Sequence, residues 1–514
     1  MMADGEIIFR PYFVQQGRGP HMGDFVRTFD TNEDVFYSDM EVDEQGIRIQ
    51  NTHGQEQFGL YVRWNVEGFG YLYLPADNGG EYYPADEPSG ADYNLNYELA
   101  LTRVMRNRKR LQSFQEDTTW RPSRELKAYL DLGEEYLEDA GKAQSEPVQC
   151  AQYSQQSLKF AMYASDLLEL EKARFDIRNQ PPRPDFLFGC DTRGFFQMDE
   201  HLFLERFTPL FNYATITHYL IGDHINFEPN EGDKQFAERD RLLDILLEKG
   251  ITVEGRPLFW THSWVTPDWL KEKSFDQTLT YLEDHIRKVV GHYGDRIKVW
   301  EVVNEVHDWA NELEFTPDQF IELTKFACEV ARDVNSDVKL LINNCCPFAP
   351  YIQKRKWHEK EAKYPQRTPH QFTTDLLDAE VDFDLIGVQE YFVRHPVAEA
   401  VRVIERYADL NIDVQIAEIG APSAGIKQEF VDEDVDPTTK PYDWRRHWDE
   451  ELQADWLEYI FTYAYSNPAV EAANWYDFVD PYGFLKKGGL LRSVDGETKA
   501  AVDRLQNLKE KWAK

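Results

Sequence analysis

Over its last 330 residues this chain alternates short strand-like apolar runs with helical patterns, eight times over. The strand-like runs fall at 186–190, 213–217, 257–262, 298–304, 338–343, 385–389, 414–418 and 472–476. Between them the spacing of apolar residues predicts helices, for example over 234–249, 275–293, 317–335 and 398–410. Strands that alternate with helices pair in parallel, and the crossover joining them is right-handed. Eight such units close into a barrel whose chemistry sits at the strand C-termini. The predicted class is therefore α/β, with a (β/α)8 TIM barrel over residues 185–514.

The preceding residues follow other patterns. Residues 1–118 read as a β-rich domain, with alternating runs such as FGLYVRW (58–64) and FGYLYL (69–74) separated by turn residues. A β-sandwich of carbohydrate-binding type and a small domain that merely packs on the barrel both fit that pattern. Residues 119–184 switch to helical spacing: Leu126, Tyr129, Leu130 and Tyr136, then Leu158, Met162 and Leu167. A break at 141–147 predicts a helical hairpin, and QPPRP (180–184) stiffens the chain into a linker.

The formal charge of −36 argues against nucleic acid or an anionic membrane as partner, since both need basic patches. A neutral polysaccharide or oligosaccharide fits better. The chain carries 13 Trp, 27 Tyr and 32 Phe, and aromatic planes stack on the apolar faces of sugars. The five cysteines form no CxxC pair, and the histidines show no HExxH spacing, so no metal or other cofactor is expected. Apolar runs are too short to span a bilayer, and the start MMADGEIIF lacks a signal-peptide layout. The expected location is cytoplasmic, or that of a mature secreted form whose leader is gone.

Two of the strand-like runs end in glutamate. IKVWEVVNE (297–305) delivers Asn304 and Glu305, and IDVQIAEI (412–419) delivers Glu418. A carboxylate at the end of an apolar strand loses several kcal/mol of hydration unless it is partnered or protonated. Two such groups facing each other across a barrel mouth suit glycoside hydrolysis, where one acid donates a proton and one carboxylate attacks or activates water.

These residues resemble glycoside hydrolase family 10, the retaining endo-1,4-β-xylanases, over roughly 185–508. WEVVNE (300–305) is similar to that family's acid/base signature, IAEI (416–419) to its nucleophile strand, and GRPLFWTHSWVTPDWL (255–270) to its third-strand motif. GVQ (387–389) and the ending LLRSVDGETKAA match further segments. The resemblance implies Glu305 as acid/base, Glu418 as nucleophile and Asn304 as a ligand of the sugar 2-hydroxyl. It implies Trp260 beneath the sugar, and Arg256, His262, Gln389, Tyr391 and Trp475 as further substrate-binding positions. Departures are visible too. Thr217-His218-Tyr219 stand where the family has Glu-Asn, Arg256 where it has His, and Tyr391 where it has the His that orients the nucleophile. The expected activity is internal cleavage of β-1,4-xylosidic bonds with retention. The alternatives are a related β-glycosidase on another hemicellulose, an exo-acting enzyme on oligosaccharides, and a non-catalytic glycan-binding protein.

Overall fold

The computed structural model describes residues 6–513 apart from 13, 15–21, 23–25, 87–89, 118, 359, 392–394, 426–443 and 481. The barrel strands are Leu187–Asp191 (β1), Tyr213–Thr217 (β2), Thr252–Arg256 (β3), Val299–Asn304 (β4), Lys339–Asn344 (β5), Leu385–Tyr391 (β6), Asp413–Gly420 (β7) and Val470–Trp475 (β8). Each pairs in parallel with the next, and β1 pairs with β8 through Gly189 and Asn474, which closes the barrel. Helices cover its outside, so a strand such as VWEVVN is buried along its whole length and reads as an apolar run. The helices Phe275–Tyr293, Pro317–Val334 and Pro369–Asp378 each begin with a reciprocal capping box, from Ser274/Gln277, Thr316/Gln319 and Thr368/Gln371.

The third strand lies upstream of its predicted place. The run at 257–262 supplies only the two-residue continuation Phe259–Trp260, which pairs with β4. The strand proper, TVEGR, was hidden because Glu254 and Arg256 break the apolar pattern. Both side chains are accommodated inside the barrel. Its interior is layered: an apolar floor of Tyr213, Val299, Leu341, Leu385 and Ala472 lies beneath a polar layer. There Tyr213 Oη and Gln415 Nε2 donate to Glu254 Oε2 at 2.6 and 2.5 Å, and Asn343 Nδ2 donates to Glu301 Oε2 at 3.0 Å.

The N-terminal region is β-rich, as predicted, with two small sheets. One runs Asp39–Asp43, Gly46–Asn51, Ile7–Arg10, Ala91–Asn94, and the other is built around Gln57–Val66 and Gly70–Ala76. Phe9 of the first sheet meets Phe58 and Tyr83 of the second at ring distances of 6.2 and 4.7 Å. Helix α1 (Leu95–Gln115) falls inside the stretch read as β-rich, and it starts at an Asn94 cap. It packs with α2 (Arg124–Lys142) and α3 (Pro147–Asn179) as a three-helix layer rather than an isolated hairpin. α2 and α3 are joined where Ser157 Oγ donates to the Gly133 carbonyl at 2.7 Å. Among the described residues no helix is long and apolar enough to cross a membrane.

Buried charges fasten this region to the barrel. Arg106 of α1 reaches Glu33, Asp77 and Glu399 at 2.7, 2.8 and 2.8 Å. Glu33 also pairs with Arg402, while Asp34 accepts from Arg406 at 2.8 Å and from Thr368 at 2.6 Å. These Arg partners hold Glu33 down at about 2 against the upward push of burial. Glu399, Arg402 and Arg406 all belong to the helix Val397–Ala408 that follows β6. Arg106→Met removes a cation shared by three buried carboxyls, of which Glu33 keeps Arg402 and Glu399 keeps Arg103, and breaking a buried pair costs ~3–5 kcal/mol. The stability from denaturant unfolding should fall by that amount, whereas Arg504→Met at the half-exposed Asp455 pair should change it by less than about 1 kcal/mol.

Candidate active site

Strand β4 carries the chain to Asn304, and the next residue, Glu305, takes a left-handed backbone with φ of 53°. That conformation is unfavourable for a residue with a Cβ and is characteristic of functional sites. Glu418 lies near the end of β7. The β6–β7 register shifts between Val388 and Gln389, and the β7–β8 register shifts between Ile416 and Ile419. Such irregularities re-aim side chains at barrel rims, and here they flank Gln389 and Glu418.

The two carboxyls have opposite surroundings. Glu305 is 7% exposed, and Gln389 Nε2 donates to its Oε1 at 2.7 Å, while Oε2 has no protein partner. Burial first, and the nearby Glu418 charge second, push Glu305 up to about 8. The Cys345 thiol acts weakly in the opposite direction. Glu418 instead receives three donors. Arg256 Nη2 bonds Oε1, Asn343 Nδ2 lies 3.3 Å from the same oxygen, and Tyr391 Oη donates to Oε2 at 2.6 Å. A guanidinium and a phenol are the partners of an anionic acceptor. Burial pushes Glu301 well up, so Arg256, whose Nε lies 3.3 Å from it, is left to serve Glu418.

The remaining candidates divide. Gln389 and Tyr391, from β6, touch one carboxyl each. Asn304 is buried beside Trp260, its partner in strand register, and Asn304 Oδ1 and Trp260 Nε1 carry no protein partner. Arg256 is 1% exposed and holds Glu418, so it lies under the site instead of lining it. His262 is likewise 1% exposed, enclosed by the rings of Trp260, Trp264, Trp309 and His358. Trp475 is a correction: it is fully buried, its Nε1 donates to the Gly488 carbonyl at 3.0 Å, and it packs on Trp456 of an outer helix. It fills the barrel wall and presents no face to a ligand. In the substituted segment, His218 is also turned into the core, against Ile216 O and Tyr293 Oη, and only Tyr219 reaches the mouth, 5.2 Å from the Trp260 ring.

The family profile described as "Glycosyl hydrolase family 10" matches residues 216–507, more than half of the chain. The chain belongs to glycosyl hydrolase family 10. Among curated relatives, a beta-1,4-xylanase of Dictyoglomus thermophilum is 26% identical over 221 residues, 40% of this chain and 56% of that protein. An endo-1,4-beta-xylanase B of Thermotoga neapolitana is 27% identical over 277 residues, 51% of this chain and 68% of that protein. The chain thus spans between about half and two thirds of these two relatives. The crystal structure of native xylanase 10B from Thermotoga maritima superposes with a TM-score of 0.49 at 21% identity, over 67% of this chain and 99% of that one.

The end of β5 adds further residues to the site of this family 10 member. Asn343 bridges Glu301 and Glu418, and its carbonyl accepts from the Glu305 backbone N–H at 2.9 Å, so it ties β5 to the Glu418 carboxyl and to the main chain at Glu305. Cys345 Sγ lies 3.8 Å from His307 Nε2, and burial drives that imidazole down to about 3, which keeps it neutral. A strand end that places two consecutive asparagines before a turn was the available signal for Asn343. Among the described residues no group of three His, Cys, Asp or Glu side chains is arranged to hold a metal. Glu418→Gln removes the like charge beside Glu305 but leaves its burial. The Glu305 titration, followed by carbon NMR of a labelled carboxyl, should move to lower pH and stay above the ordinary carboxylate range.

Proposed function

We propose that this family 10 chain is a retaining glycoside hydrolase that cleaves internal β-1,4-xylosidic bonds of xylan. The observation that carries the proposal is the opposed state of two facing carboxyls, Glu305 driven toward its protonated form and Glu418 ringed by Arg256, Tyr391 and Asn343. In this reading Glu418 attacks the anomeric carbon while the unpartnered Oε2 of Glu305 gives its proton to the leaving oxygen. Glu305, now a carboxylate, then takes a proton from the water that releases the glycosyl-enzyme. Asn304 binds the 2-hydroxyl and Trp260 carries the sugar face. The xylanase names of the relatives support the choice of substrate.

Internal rather than terminal cleavage is supported by exposed aromatic surface on two sides. Trp264 follows β3, and Tyr482 and Phe484 follow β8, with exposures of 63%, 55% and 42%. We place the catalytic unit at 185–514 and assign the β-rich region 1–118 and the helical region 119–184 a supporting role, because buried ion pairs of the first region and an apolar core shared by both fix them to the barrel.

Glu418→Ala should lose turnover by roughly 10⁴-fold or more, with azide restoring part of it as an α-glycosyl azide. Glu305→Ala should keep its first step on aryl glycosides with good leaving groups, and azide should yield the β-product. NMR of wild-type product before mutarotation should show the β-anomer; an initial α-anomer would mean direct attack by water. Because Glu305 must be protonated in the free enzyme, kcat/KM should fall as pH rises through about 8. An alkaline limb that stays unchanged in Glu305→Gln would assign the proton donor elsewhere.

A further inference from the structure

Among the described residues four large hydrophobic side chains are exposed, and Trp264 is the most exposed of them at 63%. An indole in water is normally left to move, but here the backbone that carries it is fixed and the His262 and His358 rings pack edge-on against it. The loop after β3 turns tightly on His262: the backbone N–H groups of Val265 and Thr266 both bond the His262 carbonyl at 3.1 Å, and Thr266 Oγ1 bonds it at 2.8 Å. The Trp264 backbone N–H donates to His262 Nδ1 at 3.2 Å, and burial brings that imidazole down to about 4, so the ring stays neutral and able to accept. From the other side Gly222, with φ of +84°, brings the loop after β2 so close that a Cβ there would meet the Trp264 carbonyl at 2.5 Å.

The neighbouring rings extend the surface. His262 lies 4.7 Å from Trp264, 5.3 Å from Trp309 and 4.7 Å from His358, and His358 in turn lies 5.7 Å from Trp264 and 5.4 Å from Trp309. Trp309 and His358, from the loops after β4 and β5, are both half-buried. The β3 and β4 loops are bonded together, with Thr261 Oγ1 donating to the Ala310 carbonyl at 2.7 Å and the Glu312 N–H to the Thr261 carbonyl at 3.0 Å. On the inner side His262 lies 5.0 Å from Trp260, which is paired in register with Asn304. Three loops therefore present a fixed aromatic surface, joined to the catalytic mouth through the buried His262 ring.

We propose that Trp264, braced by His262 and flanked by Trp309 and His358, is a stacking platform for one pyranose ring of the glycan chain beyond the sugars at the catalytic pair. The proposal rests on the reading of the chain as a β-glycan hydrolase. A pre-positioned indole binds the apolar face of a sugar without having to be ordered first. The platform adds affinity for long chains and contributes nothing to substrates too short to reach it.

The test compares wild type with Trp264→Ala, Trp264→Phe and Trp309→Ala on xylo-oligosaccharides of three to six units and on an aryl xylobioside. Trp264→Ala should lower kcat/KM about tenfold on the longest oligosaccharide, chiefly through KM, and stay within twofold of wild type on the aryl xylobioside. Trp264→Phe should recover most of the loss, and Trp309→Ala should show a smaller loss of the same kind. A loss equal on short and long substrates, or no loss, overturns the platform. If wild type cleaves none of these sugars, the xylan reading fails, and the platform is then judged by calorimetric binding of cello-, manno- and xylohexaose to Glu418→Gln with and without Trp264→Ala. Weakening of about tenfold for whichever hexaose binds supports it; no weakening, or no hexaose bound, overturns it.

Discussion

The guanidinium of Arg256 is enclosed inside the barrel among Glu254, Glu301 and Glu418, and the catalytic face is organised around that one buried cation. An isolated charge in such a place would be too unfavourable to keep, so the layer beneath the mouth has to be polar. Burial leaves Glu301 and Glu254 with raised proton affinity, and Glu418 becomes the carboxyl that balances Arg256. Glu418 in turn supplies part of the repulsion that keeps a proton on Glu305. The difference in surroundings between Glu305 and Glu418 therefore begins one layer below them.

The same layer explains where the sequence was legible. β4 and β7 stood out because apolar runs end in Glu305 and Glu418, and a strand tip is a position fixed by local pattern alone. β3 was misplaced because its inward residues Glu254 and Arg256 are satisfied by Gln415, Tyr213 and Glu418, partners up to 162 positions away. Trp475 illustrates the opposite failure: an indole next to a strand end suits a sugar platform or a barrel wall equally, and only the packing of Trp456 against it decides. α1 was missed for a related reason. Its arginines Arg103, Arg106 and Arg110 serve ion pairs with carboxyls far along the chain, and its apolar stripe is thin.

Those distant pairs give the N-terminal region a mechanical connection to the site. Gln389 touches Glu305 and Tyr391 touches Glu418, and both stand on β6. The helix that follows β6 is the one gripped by Arg103, Arg106, Glu33 and Asp34. The strand that senses both carboxyls is thus backed by a helix clamped from outside the barrel, and one apolar core runs through both regions. Removing the N-terminal residues would expose that core as well as unpair the helix.

The left-handed backbone at Glu305 sets folding against function at a single position. Glycine would adopt φ of 53° more readily, and an L-residue held there costs of order 1 kcal/mol. A lineage drifting under pressure for fold stability alone would find relief by shedding this side chain, and would keep the barrel while losing the carboxyl at its mouth.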